Sequence, residues 1–369
     1  MKKDVVISDI KGERDEEISS DLFNIQSWGA DLSFRELITR YDDEELVKPE
    51  LQRHYVWDKT EASRFIDSLL LGLPVPSIFL SRTTDEKLLI IDGYQRIMTV
   101  YDYTKGIWRE DGKVFKLSNT KKIHKTWRGK AFSELDDTLQ RKIKNTTIHA
   151  IVFEQKAPVD NSNSLFLIFE RINTSGRSLN SQEIRNCIYQ GALNKSIIEL
   201  NKNVHWRQLF GSEVPDPRMR DVEQLTRVLS FFINKIESEK REAIQLKGYL
   251  NDYMDKNSNN PLEDEIKLKI SNTFQWLNQN LTNNAFRTYN FKIGKYNNKF
   301  HPPLFDAFVL ACLNKMTGVE ILPDNPSAEQ RKHELLQNKS FSNAISIRTT
   351  NIANIRLRIQ LAENLLFKE

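Results

Sequence analysis

The residues best suited to chemistry are the pentapeptide Asp92-Gly93-Tyr94-Gln95-Arg96. It follows the apolar run at residues 88–91 and precedes an amphipathic stretch, so the pattern predicts a strand that turns directly into a helix. The first turn of a helix has unpaired backbone N–H groups, and these groups attract anions. The pentapeptide therefore predicts an anion site, with a phosphate group as the expected ligand.

Three side chains of this pentapeptide suit phosphate chemistry. The guanidinium fork of Arg96 matches phosphate oxygens, and Asp92 offers the oxygen ligands that Mg²⁺ prefers. Gln95 is of the type that orients a phosphate oxygen or an attacking water. A structural ion pair for Arg96 and a turn-capping hydrogen bond for Asp92 are the alternatives. We predict Asp92, Gln95 and Arg96 as the catalytic residues and Asp92 as the metal ligand.

A second polar turn lies at residues 173–176 and precedes another predicted helix. Small polar residues with a glycine form tight loops whose backbone amides can converge on an anion. Most such turns before a helix are structural, so this turn by itself is a weak signal. Two positively biased turns in one small domain could face each other.

Composition and charge limit the class of protein. The chain has 369 residues, of which 39% are hydrophobic and 28% charged, as in soluble proteins of two or three domains. Its two cysteines are far apart and predict buried, reduced thiols. No apolar run approaches the roughly 20 residues that cross a bilayer, and no signal-peptide core follows the first residues. These observations predict a cytoplasmic protein that contacts no membrane.

The net charge of +4 is unevenly distributed. Residues 1–50 hold 14 acidic and 7 basic side chains, so this segment carries −7 and the remainder +11. The densest basic stretch, residues 121–130, places an aromatic side chain among cations, which suits a nucleic-acid backbone with one stacked base or else a solvated loop. The candidate nucleic-acid ligands are Lys121, Lys122, Lys125, Trp127 and Arg128.

The order of the predicted elements indicates an α+β domain followed by a mostly α-helical region. We predict an acidic, flexible arm at residues 1–32, a domain at 33–200 and a helical domain at 201–369. The first domain contains a helix at 59–71, two paired strands at 77–81 and 87–92, the helix that begins in the pentapeptide, and a further strand at 147–153.

Four ordered blocks carry a resemblance to a known family: residues 51–57 (LQRHYVW), 67–76 (DSLLLGLPVP), 92–96 (DGYQR) and 169–176 (FERINTSG). Together they strongly resemble the ParB-like DGQQR-motif domain of GmrSD-type modification-dependent restriction proteins. Residues 218–223 (RMRDVE) also look like that family's helical continuation. The resemblance runs from about residue 33 to about residue 255.

The resemblance implies a ParB/sulfiredoxin-like fold that binds a nucleoside triphosphate with Mg²⁺ and hydrolyses it to control a restriction or antiphage nuclease. The nuclease or another co-encoded defence protein is an expected partner, and DNA is a further one. The implied nucleotide ligands are Gln52, Arg53, Gly93, Tyr94, Arg171, Asn173, Thr174, Ser175 and Gly176.

The chain departs from the family pattern in two places. Tyr94 stands where the family motif has its first Gln, which puts a role specific to that amide in doubt. His301 and His333 lack the neighbouring His or Asn partners of an HNH nuclease, so we infer that this module is missing. Two other functions stay open: a DNA-binding or DNA-nicking protein with a vestigial nucleotide pocket, and a non-catalytic antitoxin or scaffold.

Overall fold

This computed structural model describes residues 5–10, 24–48, 57–83, 85–157, 163–172 and 179–367. They form two compact units. The first, which we call the sheet unit, contains the described residues of 21–179 together with 186–188. The second, the helical unit, contains residues 5–10, 180–185 and 189–367. The predicted boundaries after residues 32 and 200 remain predictions.

The sheet unit is built on five strands: β2 (Asn24–Ser33), β3 (Leu46–Val47), β4 (Ile78–Arg82), β5 (Leu88–Asp92) and β6 (Thr147–Ala157). Their order across the sheet is β2-β6-β4-β5-β3. The pairs β2/β6 and β4/β5 are antiparallel, whereas β4/β6 and β3/β5 are parallel. The sheet is therefore mixed, and β4, β5 and β6 match the three predicted strands.

Helices cover the sheet and connect its strands: α1 (Phe34–Asp42), α2 (Lys59–Leu71), α3 (Tyr94–Lys105), α4 (Asp137–Asn145) and α5 (Asn163–Ile172). Helices α1–α4 and the sheet share one hydrophobic cluster. Local signals define α2 closely: Asp58 and Glu61 form a capping box, and Gly72 ends the helix at a φ of +75°. Such caps stabilise a helix end without any distant contact.

The edge strand β2 begins within the segment predicted as an arm. Residues 24–32 pair with β6 from Asn24 onward, although most of β2 is exposed to solvent. An exposed strand needs no alternation of apolar residues, so its sequence carries little signal. The pairing with β6 gives this segment its conformation.

The helical unit contains one two-stranded parallel pair, β1 (Val6–Ile7) with β9 (Lys299–Phe300), and one hairpin, β7 (Tyr289–Asn290) with β8 (Lys295–Tyr296). Its helices are α7 (Ala192–Leu200), α8 (Val204–Phe210), α9 (Arg220–Ile233), α10 (Leu246–Asn257), α11 (Asp264–Leu281), α12 (Pro302–Lys315), α13 (Ala328–Gln337), α14 (Lys339–Ala344) and α15 (Ile352–Leu366). Helix α6 (Ser181–Ile188) has residues in both units.

A buried charge cluster lies in the core of the helical unit. Asp306 of α12 is fully buried and accepts hydrogen bonds from Arg227 of α9 and Arg358 of α15, at 2.7 and 2.8 Å. Both arginines are also buried. Three helices are thereby joined through one carboxylate, and loss of Asp306 would remove the carboxylate that two buried guanidinium groups share.

The architecture confirms the predicted fold class. Of the described residues 53% are helical, with a mixed sheet in the N-terminal part and a helical C-terminal region. Cys187 and Cys312 are both buried thiols, as predicted. None of the described helices is long and apolar enough to span a bilayer.

Candidate functional site

The turn between β5 and α3 requires glycine for two physical reasons. Gly93 has a φ of +102°, in the left-handed region that side chains disfavour. A Cβ atom at this position would lie 2.2 Å from Cγ2 of Ile78 on the neighbouring strand β4. Gly93 also stands at the N terminus of α3, where no side chain caps the helix. The turn between β5 and α3 therefore lies directly against Ile78 of β4.

Asp92 and Arg96 form an ion pair across this turn. The residues are four positions apart, and Nη2 of Arg96 donates to Oδ2 of Asp92. The Arg96 side chain is only 14% exposed, against 37% for Asp92. Nε of Arg96 is buried and has no hydrogen-bond partner among the described residues. The guanidinium thus keeps an unused donor beside the helix start, while its charge is balanced by Asp92.

Gln95 connects the turn to the beginning of α2. Its Oε1 accepts a hydrogen bond from the backbone N–H of Trp57, at 3.3 Å. The Trp57 ring packs against Phe65 of α2, with 5.6 Å between ring centroids. Gln95 therefore positions the residue that directly follows segment 51–56.

Tyr94 faces the interior of the sheet unit. Its side chain is buried, and its hydroxyl accepts a hydrogen bond from Nη1 of Arg109, at 2.9 Å. Arg109 also donates to both carboxylate oxygens of Asp102, at 2.6 and 2.7 Å. Burial raises the pKa of Tyr94 above its ordinary value. The phenol is thus a neutral member of an internal network.

Sequence reasoning did not find Lys48 or Arg109. Nζ of Lys48 lies 5.8 Å from the centroid of the Tyr94 ring, and Cζ of Arg109 lies 5.9 Å from the same centroid. Lys48 follows the two-residue strand β3, and Arg109 follows α3. Neither residue lies in a motif, and only the fold brings them to the pentapeptide.

The second predicted turn, at residues 173–176, lies outside the described residues, but the helix before it is described. Helix α5 packs against β5 and ends at Ile172, with Arg171 exposed in its last turn. Six predicted ligands lie outside the described residues: Gln52, Arg53, Asn173, Thr174, Ser175 and Gly176.

The candidate nucleic-acid ligands of the basic stretch are of two kinds: side chains that make internal contacts and side chains that are exposed. Trp127 is buried, and its Nε1 donates to Oδ1 of Asp67 on α2, at 2.7 Å. The Arg128 guanidinium donates to the backbone carbonyl of Ile123, at 2.8 and 3.0 Å. A stacked base needs an exposed ring face, and Trp127 offers none in this conformation.

The three other candidate nucleic-acid ligands of the stretch, Lys121, Lys122 and Lys125, are exposed. They are therefore the members of the set that nucleic acid can reach.

The segment at residues 218–223 makes structural contacts within the helical unit. Arg218 pairs with Glu183 at 3.0 Å, and Glu183 caps the start of α6 together with Asn180. Asp221 is fully buried and accepts from Arg207 at 2.8 Å. The side chains of this segment therefore connect the start of α9 to α6 and α8.

Residues 34–190 match the family model for the N-terminal domain of GmrSD restriction endonucleases. This part of the chain is similar to a GmrSD-type N-terminal domain. It contains β3–β6, α1–α5 and the pentapeptide turn, and over these residues the match confirms the resemblance found in the sequence. The domain indicates a component of a restriction or antiphage defence system. No curated protein matches the chain.

The described part of the GmrSD-type domain does not present a ready-made metal centre. Among the described residues, no three His, Cys, Asp or Glu side chains are grouped closely enough to hold a metal ion. Asp92 is a single carboxylate with a side chain 37% exposed. A Mg²⁺ ion at Asp92 would therefore take its other ligands from phosphate oxygens and water, as Mg²⁺ commonly does.

Proposed function

We propose that this chain is a regulatory subunit of a DNA restriction or antiphage defence system, and that it binds and hydrolyses a nucleoside triphosphate. A partner nuclease or another co-encoded defence protein, and DNA itself, complete the proposed system. The proposal rests on one observation above all. The Asp92–Arg96 pair lies at an uncapped helix start, with the buried Nε of Arg96 unsatisfied among the described residues.

The arrangement supports phosphate binding in a specific way. A phosphate at the start of α3 would accept hydrogen bonds from helix N–H groups and from Arg96, both of which favour negative charge. It would compete with Asp92 for the guanidinium. Asp92, once separated from Arg96, would be available to hold a Mg²⁺ ion bound to the same phosphates. One ion pair thus supplies both the anion ligand and the metal ligand.

Hydrolysis places a further demand on Gln95. Its amide oxygen accepts from Trp57, so an attacking water would be oriented either by an amide that also holds Trp57 or by one that has released it. Either route couples nucleotide turnover to the beginning of α2. We propose that this coupling is how the nucleotide state reaches a partner.

A nucleotide-binding screen on the full chain tests the proposal. ATP, GTP and CTP would each be titrated with Mg²⁺ into the wild type and into Arg96→Ala. We expect at least one nucleotide to bind, and we expect Arg96→Ala to weaken it about tenfold or more, because a charge-assisted contact contributes about 1.5–3 kcal/mol.

Arg82→Ala is the matched control. Arg82 forms an i,i+4 ion pair with Glu86 at 3.1 Å, beside the other end of β5. Its loss should leave nucleotide affinity unchanged. Absence of binding by the wild type, or equal effects of the two variants, would contradict the proposal.

A further inference from the structure

We propose that Lys48 and Arg109 form a second cationic wall of the pentapeptide site, and that the site takes a polyphosphate chain rather than a single phosphate. This inference rests on the proposed function, because it identifies the ligand of the same site as the triphosphate of a nucleotide.

The sheet topology places Lys48 at the correct edge. Strand β3 runs parallel to β5, with Leu46 opposite Leu88 and Val47 opposite Leu89. Parallel strands have their carboxyl ends at the same edge of a sheet, which is where ligands of such sheets commonly bind. Lys48 therefore continues β3 toward the edge at which β5 ends in Asp92.

The charges around Tyr94 are not balanced. Lys48 and Arg109 both lie within 6 Å of the Tyr94 ring centroid. Asp102 neutralises Arg109 through two hydrogen bonds, but Lys48 has no carboxylate partner among the described residues. Among the described residues, these two cations have one carboxylate between them, which leaves the charge of Lys48 unbalanced.

The electrostatics of Lys48 support an anionic ligand. Burial lowers the pKa of Lys48, and repulsion by Arg109 lowers it further. Like charges held close together are unfavourable unless an anion lies near them. A bound phosphate would remove this repulsion.

Helix geometry explains why the ligand must be extended. Tyr94 and Arg96 are two positions apart on α3, and each residue of an α-helix advances by about 100°. Their side chains therefore leave the first turn in nearly opposite directions. Arg96 with Asp92 lies on one side, and Tyr94 with Lys48 and Arg109 lies on the other. A single phosphate reaches one side, whereas a chain of three can contact both.

The test uses inorganic tripolyphosphate and orthophosphate, each with Mg²⁺, titrated calorimetrically into the full chain. The variant is Lys48→Met, which keeps the apolar stem and removes the charge. We expect the wild type to prefer tripolyphosphate, and Lys48→Met to lose about tenfold in tripolyphosphate affinity with a smaller effect on orthophosphate.

Lys105→Met is the matched control, because Nζ of Lys105 also lies over a tyrosine ring, 5.3 Å from the centroid of Tyr101. Lys105 is paired with Asp42 at 2.8 Å. Equal losses in Lys105→Met and Lys48→Met would overturn the inference, because the effect would then be one of overall charge.

The remaining outcomes separate the inference from the proposed function. If Arg96→Ala loses tripolyphosphate binding and Lys48→Met does not, the inference fails and the proposed function stands. If the wild type binds neither tripolyphosphate nor any nucleotide, both fail. If Lys48→Met weakens binding of a DNA duplex but not of tripolyphosphate, Lys48 serves DNA phosphates and the inference is overturned.

Discussion

At the residue scale, the pentapeptide combines a fixed backbone with side chains that face different partners. Gly93 fixes the turn, Tyr94 points to Arg109, Gln95 holds Trp57, and Arg96 pairs with Asp92. The residue that departs from the family motif, Tyr94, is the buried one. The presence of Tyr at position 94 therefore changes the internal contacts that support the site more directly than it changes the exposed surface of the site.

The left-handed backbone conformation of Gly93 and its closeness to Ile78 lead to a stability prediction. Gly93→Ala should lower the free energy of unfolding by about 3 kcal/mol, because it adds left-handed strain and a Cβ clash with Ile78. Gly106→Ala should cost only about 1 kcal/mol. Gly106 ends the same helix at a φ of +83°, but a Cβ there meets nothing within 4 Å.

Urea unfolding of both variants measures this difference. The Gly106 variant carries the backbone strain alone, so the gap between the two variants isolates the contact with Ile78. Equal losses of stability would show that β4 moves away without cost, and would remove the steric reason for glycine at position 93.

At the element scale, the loop between α3 and α4 is held in place by hydrogen bonds on its buried side. Asp67 of α2 accepts from Nε1 of Trp127 and from the backbone N–H of His124, at 2.7 and 2.9 Å. Arg128 satisfies the carbonyl of Ile123. Two residues that sequence reasoning assigned to nucleic acid therefore hold the loop in shape, and Lys121, Lys122 and Lys125 remain exposed.

If DNA is a partner, these lysines should carry the salt dependence of binding. We expect the triple variant Lys121→Gln, Lys122→Gln and Lys125→Gln to reduce the slope of log K against log salt by about 2–3, since each phosphate contact contributes about 0.9. Fluorescence anisotropy with a labelled duplex at several salt concentrations measures the slope.

The control triple is Lys292→Gln, Lys295→Gln and Lys299→Gln, at exposed positions around the hairpin of the helical unit. It removes the same charge and should leave the slope nearly unchanged. The same decrease in both triples would indicate a general charge effect rather than a DNA surface at this loop.

At the scale of the whole molecule, pH should act on stability through a buried lysine. Lys332 of α13 is fully buried, donates to the carbonyl of Asn284 at 2.6 Å and lies 4.2 Å from the Tyr296 ring centroid. Burial lowers the pKa of Lys332 from 10.5 to about 7. Arg287 also lowers this pKa, whereas Glu329 raises it.

The direction in which stability changes with pH follows from proton binding at Lys332. Between pH 7 and 10.5 the unfolded chain binds a proton at Lys332 and the folded chain does not, so stability rises with pH in this window. Below pH 7 the burial penalty is fully present.

We expect the wild type to gain about 2 kcal/mol relative to Lys332→Met between pH 7 and 9. Denaturant unfolding of both proteins across this range measures the gain. The matched control is Lys339→Met at an exposed position, which should differ from the wild type equally at every pH. A constant difference for Lys332→Met would mean that Lys332 stays protonated in the folded protein.

The sequence by itself determined those parts of the molecule that depend on neighbours along the chain. Helix α2 begins and ends where its capping residues and Gly72 predict, and β4, β5 and the start of α3 follow from apolar runs and turns. The four ordered blocks also identified the GmrSD-type domain. Caps, turns and periodicity act within a few residues, so they can be read directly from the sequence.

The tertiary structure decided which side chains meet across long separations. The pairs Trp127–Asp67, Gln95–Trp57 and Tyr94–Arg109 are 60, 38 and 15 residues apart, and Lys48 reaches Tyr94 only because β3 lies beside β5. No local pattern specifies such contacts, because they depend on strand order and on how helices pack against the sheet. The pentapeptide was visible in the sequence, but the direction in which each of its side chains points was set by the fold.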